Sequence, residues 1–425
     1  MNNIIKKILP GDSNAQSGIV WNTISLGIIG ISGLILNILI GSIYDASVLG
    51  IFNLVLAFYI VLGQVGVWGM QNASVYYVSV NRDDKVTLKT ILGSFMVGCG
   101  FTALLTSLIL LIFAKPLSMI VFKSETLFFG LLVLVPTVFF FSINKLFLGF
   151  INGLRYMRVF AILQSLRYVF VMVFILGCIV LKIPGGYTVY SLLFAELLLF
   201  LISGSILLKH VFPARPKLVY LKRGLVFGSK SVFGGVVGEL NTKADILVLG
   251  IFLSDSIVGI YSFASILAEG FYSLIMVFRT NLNPLFAKYY AKNEFSEFAL
   301  LQRQVVKKVL PIALICAIII SASYSLLCEL IIPDIYKEAM IPLIIILGCM
   351  TMASPFIARG NMLSQCGRPE LDTIITTGAV VVNLIFNFIM IPHWGMIGAA
   401  VATGFSYVAY SIGMKYFFCR YLNMI

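Results

Sequence analysis

Ten ionisable side chains interrupt stretches of sequence that are otherwise apolar: the cations Lys145, Arg167, Lys230, Lys243, Arg279 and Arg359, and the acids Glu196, Glu239, Asp245 and Glu269. Inside a hydrocarbon layer a charge costs about a few kcal/mol or more, so each needs a partner, a wetted cavity or a task. Six against four leaves an excess of +2, and such an interior attracts anions, phosphate esters above all. Depth divides the set. Lys145, Arg279 and Arg359 fall in the cytoplasmic third of their segments, where a long side chain reaches the headgroups by snorkelling. Arg167, Lys243, Glu196, Glu239 and Glu269 fall nearer the middle. Asp245, Glu269 and Glu196 are the candidate ion-coupling acids, because an intramembrane carboxylate is placed to carry a proton or a cation.

One segment concentrates these groups: Lys230, Glu239, Asn241, Lys243 and Asp245 stand within sixteen residues. On a helix, Lys230, Asn241 and Asp245 fall within roughly 60° of one another, whereas Glu239 and Lys243 lie opposite, spaced i and i+4 as an intrahelical ion pair. The uncharged polar residues Asn37, Gln64, Asn144, Gln164, Asn383 and Asn387 sit in other apolar segments, where hydrogen bonding between helices is their ordinary task.

The elements that must hold these groups follow from composition. Hydrophobic residues make up 60% of the chain and charged residues 11%, at mean hydropathy +1.03. Soluble domains are roughly half apolar, so a fold facing water could not cover this much apolar surface. Windows of 18 or more apolar residues recur along the whole length, and in lipid they must be helices, since every backbone amide needs an internal partner. The predicted spans are 18–42, 49–72, 89–113, 126–153, 158–181, 187–209, 225–253, 256–285, 307–332, 339–364, 371–392 and 395–418. The first lacks a small-residue cleavage site and reads as a retained helix. With the N-terminus placed in the cytoplasm, the even-numbered loops and both tails, Lys6 and Lys7 included, carry 20 of the 30 lysines and arginines. The opposite side has Lys115, Lys123, Lys182 and Lys337 beside several acids, which sets both termini as cytoplasmic.

Other classes fall away on the same observations. The net charge of +13 is spread over loops beside helix ends rather than gathered on a soluble face, which argues for topology and lipid headgroups and against nucleic acid as partner. The seven cysteines show no paired spacing and lie mostly inside apolar spans, as small buried hydrophobes rather than metal ligands. No nucleophile motif, external carboxylate pair or cofactor signature appears, and the outer loops are at most about a dozen residues, so the expectation is a protein that is not an enzyme and needs no cofactor.

An internal repeat organises the chain. Residues 47–52 read SVLGIF and residues 256–261 read SIVGIY; the offset of 209 also superposes Gly41 on Gly250 and places Asp45 and Asp255 in equivalent short connections. This predicts an N-terminal six-helix half over 1–210, a basic cytoplasmic linker over 211–224 with Pro213 and Pro216, and a C-terminal six-helix half over 225–425. The fold class is therefore an all-α membrane protein of about twelve transmembrane helices in two six-helix bundles. An even number of helices per half relates them by a pseudo-twofold axis along the membrane normal. Each half opens on a glycine-interrupted helix, with Gly27, Gly30 and Gly33 in one and Gly228, Gly234, Gly235 and Gly238 in the other.

The GIFN stretch (50–53) and ADILVLGIFLSDSIVGIYSFA (244–264), on this plan of helices, resemble the polysaccharide flippases of the MOP superfamily, most nearly the O-antigen flippases called Wzx. The resemblance implies alternating access. It implies a cargo of undecaprenyl-diphosphate-linked glycan moved to the outer leaflet of the bacterial inner membrane for lipopolysaccharide or other surface polysaccharide. Membrane lipids and other polysaccharide assembly proteins are the implied partners. In such flippases the first, second, seventh and eighth helices border a central cavity. That brings Asn37, Gln64, Lys243, Asp245 and Glu269 forward for sugar hydroxyls, diphosphate or a coupling ion, while Asn241 is a polar cavity candidate through its stripe with Lys230 and Asp245. The multidrug antiporters of the superfamily resemble one another in an acid and a proline in the first helix, and residues 18–42 contain no Asp, Glu or Pro. A membrane-embedded polysaccharide polymerase or ligase is the more distant alternative.

Overall fold

Among the residues described by the computed structural model, 13–422, every long element is a helix; side chains are described for 20–420 apart from 284, so Lys6 and Lys7 lie outside the description. In chain order the long helices are Ser13–Ile43, Ala46–Gly66, Met70–Val80, Lys85–Pro116, Glu125–Gly153, Met157–Val180, Tyr190–His210, Leu218–Phe252, Asp255–Ala291, Phe295–Leu330, Met340–Ile357 and Pro369–Leu422. Ten helical stretches are long and apolar enough to cross a membrane. Two features reconcile ten with the twelve predicted spans. Pro369–Leu422 turns at Gly395, whose φ of 54° breaks it into the eleventh and twelfth spans. Leu218–Phe252, the predicted seventh span, has no sufficiently apolar window, because Lys222, Arg223, Lys230, Glu239, Lys243 and Asp245 lie along it. Its 35 residues nonetheless extend about 52 Å at 1.5 Å per residue. The all-α membrane fold is as expected.

Local chemistry sets the helix starts. Asp84 caps Lys85–Pro116 by accepting from the backbone N–H groups of Val86 and Thr87. The Thr87 hydroxyl donates to the same carboxylate at 2.5 Å and holds it below its ordinary carboxylate range. Asp45 accepts from Val48 N at 2.7 Å and so starts Ala46–Gly66. Along Lys85–Pro116, Val97, Phe101, Leu104, Leu105, Leu108 and Ile112 stand exposed as one stripe. Such a stripe is at ease only against hydrocarbon.

The chain divides into two compact units, one of residues 1–43 with 54–239, the other of 44–53 with 240–425. In the first unit Phe95, Phe147, Phe150, Leu199 and Met70 form a continuous core. The predicted linker is docked onto Lys85–Pro116 rather than free: Ala214 N donates to Lys89 O at 2.9 Å and Lys217 N to Ser94 Oγ at 3.0 Å. A Cβ on Gly93 would stand 2.1 Å from Ala214 O, so this close approach requires glycine. The second predicted span is broken: Trp68 (φ 50°) and Gly69 (φ 67°) are both left-handed, and the chain restarts at Met70.

In the second unit the two repeat motifs touch. A Cβ on Gly50 would stand 1.8 Å from Asp255 O, and a Cβ on Gly259 would stand 1.8 Å from Ala46 O. The pairs 46/255 and 50/259 both carry the 209-residue offset, so the contact is self-complementary, each motif giving the other the same carbonyl and the same glycine.

Candidate functional site

In the first unit the ionisable residues form two linked clusters. Glu196 is fully buried, with Arg167 Nε 2.6 Å from its Oε1 in an ion pair without hydrogen-bond alignment. Tyr59 donates to Oε1 at 2.5 Å and Asn144 to Oε2 at 2.6 Å, while Ser203 donates to Asn144 Oδ1 at 3.2 Å. Arg167 also stacks over the Phe141 ring at 4.7 Å, and its Nη2 has no hydrogen-bond partner. An acid so fully engaged neutralises and positions Arg167. The second cluster touches the same ring. Lys145 Nζ is 4.9 Å from the Phe141 centroid, donates to Gln64 Oε1 at 2.7 Å and is 3.7 Å from Glu239 Oε1. Gln64 reaches that position because Gly235 leaves room: a Cβ there would stand 2.1 Å from Gln64 Nε2.

In the second unit, Lys243 donates to Glu269 Oε1 at 2.5 Å. Lys243 and Glu239 thus each find a partner on another helix, and the intrahelical pair read from their spacing gives way to these contacts. Lys145 lies on Glu125–Gly153 and Glu269 on Asp255–Ala291, and sequence spacing holds no information about either.

Asp245 sits in an uncharged oxygen-rich setting. Its Oδ2 accepts from Tyr261 at 2.9 Å and Thr403 at 2.5 Å, and its Oδ1 from Asn387 at 2.7 Å. Asn387 donates in turn to Asn383 Oδ1 at 3.0 Å, and its own buried Oδ1 accepts nothing. No cation lies within ion-pair distance of Asp245 among the described residues. Asn383 and Asn387 were legible as a polar pair at i and i+4, but Tyr261 and Thr403 were not, since a lone Tyr or Thr in an apolar helix carries no signal.

Arg279 and Arg359 show the opposite imbalance. Arg279 donates to Asn361 Oδ1 and packs against Gly360, where a Cβ would stand 2.9 Å from its Cζ. Arg359 donates to Pro355 O at 2.8 Å and Gln302 Oε1 at 3.4 Å and lies over Phe356 at 4.9 Å. Both are half-buried, and among the described residues neither has a carboxylate within ion-pair distance. Of the remaining candidates, Lys230 is exposed, Asn241 is half-buried, and Asn37 is buried with its amide donating to Gly33 O at 2.9 Å.

A family model described as "Polysaccharide biosynthesis protein" matches residues 16–290, and one described as MatE matches 240–389. The chain belongs to the polysaccharide biosynthesis protein family. A relative within reach of this family's sequences is the probable low-salt glycan biosynthesis flippase Agl15 of Haloferax volcanii, 24% identical over 204 residues. That match takes in 47% of this chain and 42% of the relative, so the chain aligns with less than half of that protein's length. In fold, this member of the family is similar to the lipid II flippase MurJ in an inward closed conformation, with TM-score 0.77 and 14% identity over 94% of this chain and 87% of that one. It is also similar to an inward-facing multidrug resistance MATE transporter of the MOP superfamily, with TM-score 0.73 and 15% identity over 92% and 93%. The resemblance drawn from residues 50–53 and 244–264 to the MOP-superfamily polysaccharide flippases therefore stands at the level of family and fold.

Proposed function

We propose that this transporter flips an undecaprenyl-diphosphate-linked oligosaccharide, the repeat unit of an O-antigen or other surface polysaccharide, from the cytoplasmic to the outer leaflet of the bacterial inner membrane by alternating access, with both termini cytoplasmic. The observation that carries the reading is the pair Arg279, on Asp255–Ala291, and Arg359, in the turn that follows Met340–Ile357, guanidinium groups held by amides, a carbonyl and a ring, with no carboxylate within ion-pair distance among the described residues. Desolvated guanidinium groups bind phosphate oxygens strongly, often in bidentate fashion, and a lipid diphosphate presents several such oxygens. Arg167, Lys243 and Lys145 already have acid partners and follow in rank; exposed Lys230 offers a further cationic contact, and Asn37 and Asn241 polar ones. The relatives named for glycan and lipid II flipping support the cargo class.

Replacing both arginines, Arg279→Gln with Arg359→Gln, is expected to abolish surface polysaccharide in a bacterial strain that lacks its own flippase, while membrane abundance stays near normal. Losing two charge-assisted contacts of about 1.5–3 kcal/mol each lowers cargo affinity by two to four orders of magnitude. Full restoration of polysaccharide by the double variant would sink the reading.

Coupling falls to Asp245 under this proposal, with Glu269 and Glu196 behind it because each of those already neutralises a cation. Asp245 has hydrogen-bond donors but no cation within ion-pair distance among the described residues, which leaves its site suited to a coupling ion. Asp245→Asn should leave cargo binding intact and remove the dependence of transport on a sodium or proton gradient in proteoliposomes. Unchanged gradient dependence would move coupling to another acid. The MatE match over 240–389 favours one alternative, a multidrug or organic-cation antiporter. That reading predicts drug resistance in a sensitive host and no polysaccharide rescue.

A further inference from the structure

Resting on the flippase reading, we propose that Tyr410 is a third ligand of the lipid diphosphate, its hydroxyl donating to a phosphate group that Arg279 and Arg359 also hold. The three residues come from three elements of the second unit. Arg279 lies on Asp255–Ala291, Arg359 in the turn after Met340–Ile357, and Tyr410 on Pro369–Leu422 beyond its turn at Gly395. Gly360 lets two of them converge. A Cβ there would stand 2.8 Å from the Tyr410 hydroxyl oxygen, 2.9 Å from Arg279 Cζ and 3.0 Å from Arg279 Nε, so phenol and guanidinium meet over one point that any larger residue would fill. Arg359 directly precedes that glycine and stands within electrostatic reach of the same phenol.

What converges there is a set of donors. Arg279 gives Nη1 to the Met276 sulfur and Nη2 to Asn361 Oδ1, and Arg359 gives Nε to Pro355 O and Nη1 to Gln302 Oε1. Among the described residues, Arg279 Nε, Arg359 Nη2 and the Tyr410 hydroxyl make no hydrogen bond. All three keep accessible surface, unlike Arg167 Nε and Nη2, which are unpartnered and enclosed. Asp372 shares this neighbourhood, but its Oδ2 accepts from Ser364 N at 2.6 Å, and it lies beyond ion-pair distance of both arginines. A half-buried phenol ordinarily has a hydrogen-bond partner, and here its neighbours are two cations that offer it no acceptor. The acceptor that suits all three donors is anionic, carries several oxygens and sits in the cytoplasmic third of the spans, where these residues fall. A phosphate-ester headgroup has that chemistry. The guanidinium groups supply charge, and the phenol, fixed on a separate helix, supplies a directed O–H···O bond to one remaining oxygen.

The full-length protein and its Tyr410→Phe variant, both in detergent, are titrated by native mass spectrometry with undecaprenyl diphosphate and with undecaprenol, which has the tail but no phosphate. Thermal unfolding of each protein is followed without lipid. The substitution removes one oxygen and keeps the ring. It is expected to weaken undecaprenyl diphosphate by about tenfold to a hundredfold, as for one hydrogen bond to a charged group, and to leave undecaprenol within about twofold. Lipid-free unfolding should not move, because the hydroxyl has no hydrogen-bond partner among the described residues. Unchanged affinity for the diphosphate, parallel loss of both lipids, or a lowered lipid-free unfolding temperature would each overturn the role of Tyr410 and leave the flippase reading standing. Displacement of the diphosphate from the unsubstituted protein by excess phosphatidylglycerol would assign the donors to a phospholipid headgroup and overturn it as well. Undecaprenyl diphosphate that fails to bind the unsubstituted protein, or binds undiminished to Arg279→Gln with Arg359→Gln, would overturn the flippase reading and the third ligand with it.

Discussion

Glu196→Ala should destabilise the protein by about 3–5 kcal/mol, the usual penalty for removing one partner of a buried ion pair. The acid is wholly inaccessible and receives Tyr59, Asn144 and Arg167. Its removal strands a guanidinium that already has two nitrogens, Nε and Nη2, without a hydrogen-bond partner, along with a phenol and an amide. Desolvating an uncompensated cation is the dominant cost, larger than the hydrogen bonds lost beside it. The paired change Arg167→Met with Glu196→Leu removes the charges together, so it should recover most of the loss. Thermal unfolding in detergent of Arg167→Met, Glu196→Leu and the double variant, against the unsubstituted protein, forms a cycle that isolates the coupling. A double variant as unstable as Glu196→Ala would show that the acid matters for its hydrogen bonds, not its charge.

Gly50→Val should reduce transport by about a hundredfold or more while leaving the protein folded. A side chain at Gly50 begins 1.8 Å from the carbonyl of Asp255, a backbone atom that cannot swing aside as a flexible side chain could. Overpacking of this kind costs about 1–3 kcal/mol where a core can yield, and more against backbone. A penalty near 3 kcal/mol confined to the state in which Ala46–Gly66 and Asp255–Ala291 touch lowers its population about a hundredfold. Gly259→Val meets Ala46 O in the same way and should give the same phenotype, because the contact repeats itself at the 209-residue offset. The opposite lesion should also arrest transport: cysteines in place of Asp45 and Asp255, once cross-linked, tie the two helix starts together. Transport is read as surface polysaccharide in the flippase-deficient strain, with membrane abundance measured alongside. Full transport by a confirmed cross-linked protein, or by Gly50→Val, would mean that these ends need neither part nor meet.

Fold class was legible in composition alone, because lipid leaves a hydrophobic window of about twenty residues no structure but a helix, and hydropathy reports such windows directly. Sequence also placed the costly residues, since a lysine or glutamate inside an apolar run is visible without coordinates. The repeat at 47–52 and 256–261 marked two equivalent positions, although nothing in the letters showed that these glycines meet.

Partnership was decided by tertiary structure. Spacing offered Lys243 to Glu239, one turn away on the same helix, and packing gave it to Glu269 and gave Glu239 to Lys145, because neighbouring helices brought those charges closer. Asp245 and Glu196 were alike in sequence, but one is ringed by uncharged donors and the other is neutralised by Arg167. Arg279 and Arg359, legible only as cations near the headgroups, are half-buried with no carboxylate within ion-pair distance among the described residues. Trp68 drew no notice at all, since an aromatic in an apolar window reads as lipid-facing or core, and its exit from the helix depends on Gly228 and Ser231, about 160 residues away. Charge and hydropathy are properties of a residue and survive in the sequence. A charge's compensation is a property of the distance between residues, which the one-dimensional order does not hold.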